Sequence, residues 1–175
     1  MFALLKKKNP YAQPAKLVYA QVLSHIRNPE FYRVFGVPDT QEGRFDLLLV
    51  HLFLIIDRML LEGRAMQDFN QALFDVTFAD MDQTLREIGI GDTGVPKRMR
   101  RMMKAFNGRM HAYSAAMQGG EELEAVLLRN LYAAAEPPDL VCVSRMKNYV
   151  QTSRDLIKQQ PLAALLDGRA GFAAL

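Results

Sequence analysis

Residues 47–56 read LLLVHLFLII, the most apolar stretch of the chain, with Asp46 in front of it and Asp57 behind. A bilayer span needs roughly 20 apolar residues, so this run is too short to cross a membrane and predicts a helix buried at the centre of a protein core. His51 interrupts the run. In that setting a hydrogen-bonded core histidine is favoured over a catalytic base.

Working outward, apolar residues recur at helical spacing almost everywhere, and no stretch alternates apolar with polar as a half-buried strand would. The fold class read from this is all-α: one multi-helix bundle of about six main helices, over residues 12–27, 40–62, 65–88, 93–118, 121–134 and 140–159. A shorter turn at FYRVF, residues 31–35, bridges the first two. With 175 residues, half of them hydrophobic, the chain is long enough for one ordinary domain with a real core. A single domain over 1–175 is expected, its last helix followed by a short tail.

Lys and Arg number 22 against 19 for Asp and Glu, a net charge of +3 that permits nucleic-acid contact without demanding it. One cysteine, Cys142, excludes an internal disulfide framework and fits a reducing compartment. Set between Val141 and Val143, it reads as a buried thiol. The opening MFALLKKKNPYAQ places its lysines after a very short apolar run, the reverse of a secretory signal, and is too brief for a presequence. On that reading the protein stays where it is made.

Two joints share one device. FGVPDT at 35–40 and IGIGDT at 88–93 each put a glycine near a helix end and Asp-Thr where the next helix begins. Glycine suits the left-handed cap, and Asp39 or Asp92 is expected to cap the following helix. Asp39 also has Glu42 three residues on, the capping-box spacing.

The charges around the second joint, DMDQTLREIGIGD at 80–92, look at first like a site. On a helix, however, Asp80 and Asp82 point about 200° apart and cannot easily grip one metal. Asp82 and Arg86 have ion-pair spacing instead. His25, His51 and His111 lack further ligands at a recognisable spacing, and GxSxG, Walker, dinucleotide and HExxH motifs are absent. No catalytic residue, metal or cofactor is assigned, and an enzyme is the weakest reading.

After Asp92 the sequence turns basic and Met-rich. Met99, Met103, Phe106, Met110, Tyr113 and Met117 form one amphipathic stripe, while Lys97, Arg98, Arg100, Arg101 and Lys104 cover the rest of the first half. Such a stripe, with Met102 beside it, forms either ordinary core or an adaptable groove for apolar helices. The basic face reads as solvated surface or as a contact for anionic lipid or ribosomal RNA. Sequence-specific DNA reading is disfavoured, since this helix lacks the Asn, Gln and Ser expected of base-reading side chains.

FGVPDTQEGRFDLLLVHLFLIIDRML, FADMDQTLREIGIGDTGVPKRMRRMMKAFNGRMHAY and, more weakly, LEAVLLRNLY together resemble the ubiquinol–cytochrome c chaperones, which assist assembly of the cytochrome bc1 complex. The likeness covers about residues 31–132 and includes charged and glycine positions as well as apolar ones. It implies a non-enzymatic α-helical assembly factor that binds newly made cytochrome b and acts with a small partner protein or near the ribosome. The length and N-terminus resemble a bacterial member, working in the cytoplasm at the inner face of the inner membrane. The family-like positions are Asp39, Thr40, Gly43, Arg44, His51, Asp80, Asp82, Arg86, Glu87, Gly89, Gly91, Asp92, Gly108, Arg109 and Tyr113. In such a protein the charged members are expected to form partly buried pairs that fix helix ends and angles. An RNA- or ribosome-binding helical module is the alternative.

Overall fold

The computed structural model describes residues 9–135 and 139–175. The MFALLKKK opening lies outside these residues. Within them the chain is helical, in the order α1 (Ala12–Ile26), α2 (Glu30–Arg33), α3 (Gln41–Leu60), α4 (Gln67–Glu87), α5 (Gly94–Met117), α6 (Leu123–Asn130), α7 (Leu140–Gln159) and α8 (Leu162–Leu166), with a 3-10 turn at Gly63–Met66. Six of these helices have eight residues or more, as the periodicity predicted. The 3-10 turn delays the start of α4, and α8 and the turn itself were not anticipated.

The apolar run is the axis of the molecule. Residues 47–55 are all buried, and α3 packs against α1, α4, α5 and α7. Around it, α1 lies along α4, α6 bridges α5 and α7, and α8 covers α1. One contiguous apolar cluster results, drawing on nearly every helix.

Each end of α3 has a local cause. Thr40, with extended backbone, caps the helix by accepting a bond from Gly43 N at 3.0 Å. Asp39 is therefore not the cap and makes no capping box with Glu42, because Arg44 holds its carboxylate at 2.7 Å. Gly43 is required here, since a Cβ would fall 2.0 Å from the Pro38 carbonyl oxygen.

At the second joint Gly89 is left-handed, φ +83°. Gly89 N reaches Arg86 O at 3.0 Å and Ile90 N reaches Leu85 O at 3.1 Å. This paired closure satisfies the last carbonyls of α4, the expected glycine cap. Asp92 does not cap α5, because Arg86 takes its carboxylate at 2.9 Å, and Thr93 makes no side-chain cap either.

Helix α6 stops at Asn130, short of the expected 134, because Tyr132 turns inward to donate to Phe35 O at 2.6 Å. Cys142 is half-buried rather than buried, sitting in the first turn of α7 with its thiol against Val34 O and Asp139. Burial and the Asp139 carboxylate push that thiol up from its ordinary value.

Behind α3 the core contains a polar chain. His51 Nδ1 lies 2.9 Å from Leu47 O, which can only accept, so this nitrogen carries the proton. Nε2 of the neutral ring then accepts from the Tyr149 hydroxyl at 2.8 Å. The Tyr149 oxygen, also 2.8 Å from His25 Nε2, accepts in turn from that ring. Burial pushes His51 down to about 3 and lowers His25 as well. Phe172 stacks on His25 at 4.6 Å and meets His51 edge-on at 5.0 Å. The C-terminal strap that carries it is tied down by Gln21 to Ala170, Gln160 to Gly171 and Ser153 to Ala173.

Candidate functional site

The other side of α3 stays open. The end of α1, the short α2, the first turns of α3, the end of α4 and one residue of α5 enclose a groove of 440 Å³. Leu23, Ile26, Phe45, Leu48, Met81, Leu85, Ile88 and Met102 give it an apolar floor and lip, and Arg27 and Arg44 stand at its edge. A second hollow of 330 Å³ continues from it, sharing Gln41, Phe45, Leu85 and Met102 and adding Arg98, Arg101 and Arg109. Ile88 is 48% exposed although it is a large apolar residue.

One fact of local sequence leaves this seam open. Helix α5 directs its Met-aromatic stripe into the bundle: Phe106 and Tyr113 are buried, and Met99, Met103, Met110 and Met117 pack against the core. The stripe is therefore core. Met102 lies beside the stripe and, besides packing against the core, lines the groove.

Beneath the second hollow, Arg109 of α5 pairs with Asp46 of α3 at 2.8 Å, their side chains 20% and 10% exposed. Burial pushes the Asp46 carboxyl up to about 6, against the opposing pull of Arg109. Among the described residues Arg109 Nε and the Tyr113 hydroxyl are buried without a hydrogen-bond partner. Burial also raises Tyr113 above its ordinary value, so the phenol stays neutral.

The other family-like charges lie elsewhere. Arg86 bonds Asp82 at 2.7 Å and Asp92 at 2.9 Å, but all three are substantially exposed, and so are Asp39 and Arg44. The expectation of partly buried pairs at the joints is corrected: these pairs lie at the surface, and Arg109 of α5 pairs with Asp46 of α3 rather than at the joint. Glu87 is exposed and accepts from Gln83. Asp80 accepts from Tyr19 at 2.7 Å, tying α4 to α1, and burial with this bond raises the tyrosine. Gly91 and Gly108 are exposed, with open space where a Cβ would stand. Lys97, Arg98, Arg100, Arg101 and Lys104 are all exposed.

Asp46, Phe45, Met81, Leu85 and Ile88 were not singled out from the sequence. A signal did exist for Asp46, a carboxylate at the head of the most apolar run. Among the described residues no group of His, Cys, Asp or Glu is placed to hold a metal ion, and no helix is long and apolar enough to cross a membrane.

A groove with an apolar floor, an open mouth and a basic rim suits capture of an apolar or amphipathic segment by packing and charge. The chain has relatives among known proteins. The chain is 26% identical over 115 residues to ubiquinol-cytochrome-c reductase complex assembly factor 1 of Xenopus laevis, covering 65% of this chain and 58% of that protein. It is 20% identical over 153 residues to the Drosophila melanogaster factor, covering 83% and 58%. The match thus spans little more than half the length of these relatives. The crystal structure of the Cbp3 homolog from Brucella abortus superposes with a TM-score of 0.78 at 36% identity, over 92% of this chain and 89% of that one. The profile of the ubiquinol-cytochrome C chaperones matches residues 33–172, which include all of α3 to α8 and most of the groove, and the chain belongs to that family.

Proposed function

We propose that this protein is a non-enzymatic assembly chaperone for the cytochrome bc1 complex and that newly made cytochrome b is its client, held in the groove between α1, α3, α4 and α5. The observation that carries this reading is the open apolar floor from Leu23 to Met102, most of whose lining falls in the segment that matches the family. The names of the similar proteins, assembly factors of the same complex, support it. On this reading the protein works at the inner face of the inner membrane, where a hydrophobic client emerges. The family-like ion pairs shape the surface and do no bond chemistry.

Deleting the gene should lower assembled bc1 complex while leaving unrelated membrane complexes intact. Normal bc1 levels in the deletion strain would defeat the proposal. The exposed row Lys97, Arg98, Arg100, Arg101 and Lys104 supports a second reading, docking to ribosomal RNA. Sedimentation with ribosomes that falls with salt and with Arg100→Glu would favour it.

A further inference from the structure

The charge around the groove is one-sided. Arg27 and Arg44 border the first hollow, and Arg98, Arg101 and Arg109 border the second. Arg44 is held by Asp39 and lies over the Tyr32 ring at 5.8 Å, and Arg109 is spent on Asp46. Among the described residues Arg27, Arg98 and Arg101 have no carboxylate partner, and all three are exposed. The carboxylates on the walls are Asp46, already paired, and Glu42. Three free guanidinium groups therefore face one free carboxylate across an apolar floor.

An occupant must cover Leu48, Met81 and Leu85 with apolar side chains while bringing its polar flank against that rim. A flank of Lys or Arg would meet like charge close to an apolar surface, which costs affinity. Cytoplasmic ends of membrane helices are rich in Lys and Arg. The groove is thus badly matched to those ends and well matched to an amphipathic helix flanked by Asp and Glu. An anionic membrane would satisfy the arginines but not the floor, which is recessed among α1, α3, α4 and α5 and cannot insert into a bilayer as a protruding apolar patch would. We infer that the groove selects a protein helix with an apolar stripe flanked by carboxylates, and that Arg98 and Arg101 set this selectivity. The inference rests on the groove being the client site.

The test uses the full chain and two designed helical peptides, identical in a Leu/Ile stripe at i, i+3, i+4 and i+7, one flanked by Glu and the other by Lys. Fluorescence anisotropy at low ionic strength should show the Glu peptide binding about tenfold tighter, with the gap closing in high salt. The double variant Arg98→Glu, Arg101→Glu should reverse the order while keeping its melting temperature, and Met81→Asp should weaken both peptides. Equal affinity for the two peptides would overturn the inference and leave the groove reading standing. If neither peptide binds, both fall. Phosphatidylglycerol vesicles form the remaining arm: arginine-dependent vesicle binding that the Glu peptide does not displace would assign the rim to lipid headgroups and overturn the inference.

Discussion

On the face of α3 turned toward α1 and α7, the core is closed: His51 uses both ring nitrogens, Tyr149 links it to His25, and Phe172 on the C-terminal strap covers both rings. On the face turned toward α4 and α5, apolar floor stays open, and Arg109 Nε lies buried without a partner. The same helix builds both. The closed face has the profile of a stabilising core, where buried polar groups are paired and aromatic rings interlock. The open face leaves apolar area uncovered, which a fold has no reason to retain unless something outside it binds there.

The largest effect should come from the buried Asp46–Arg109 ion pair. Arg109→Ala leaves Asp46 charged and unpaired in the wall of the groove, a loss of about 3–5 kcal/mol in urea unfolding at neutral pH. The penalty should shrink as pH falls, since burial, no longer opposed by Arg109, favours the protonated Asp46 carboxyl. A small, pH-independent loss would mean that the open face does not depend on this pair.

On the closed face, Tyr149→Phe removes the hydroxyl that serves both histidines and should cost about 1–3 kcal/mol. It should leave peptide binding at the groove unchanged. Loss of binding in this variant would show that the two faces are coupled rather than independent.

The pH dependence of stability sharpens the contrast, because the two faces have opposite signs. His51 is lowered from 6.5 to about 3, so its contribution is complete above its unfolded value and is lost as pH falls toward 3. Asp46 is raised from 3.8 to about 6, so its contribution is complete below 3.8 and is lost as pH rises through 6. Between those limits the terms oppose each other. Asp46→Asn should therefore steepen the rise of melting temperature with pH from 4 to 6, and an unchanged slope would remove Asp46 from the account.

The smallest effect is expected at the joint that first draws the eye. Arg86→Ala breaks two exposed pairs and should leave the melting temperature nearly unchanged, since such pairs are screened by water and salt. A clear drop would restore the joint to a structural role.

What the sequence disclosed follows the range of its signals. The run at 47–56 and the helical period around it were enough for the central helix and its five long companions, because periodicity is a local property. Helix α8 escaped because LAALL between Pro161 and Gly168 is too short to show a period. The Met stripe was legible as a face, but whether that face is core depends on which helices lie against it. Asp46–Arg109 and His25–Tyr149–His51 join residues far apart in the chain, so neither pairing leaves a spacing to read. Thr40 rather than Asp39 became the cap because Arg44 claimed the aspartate, a competition settled by side-chain reach.

The most direct test compares the two faces in living cells. A photocrosslinking side chain placed at Ile88, on the groove lip, and another at Leu156, exposed on α7, report what each face meets during bc1 assembly. The account predicts an adduct with newly made cytochrome b from position 88 and none from position 156. Cytochrome b captured at 156 but not at 88, or captured at neither, would contradict it.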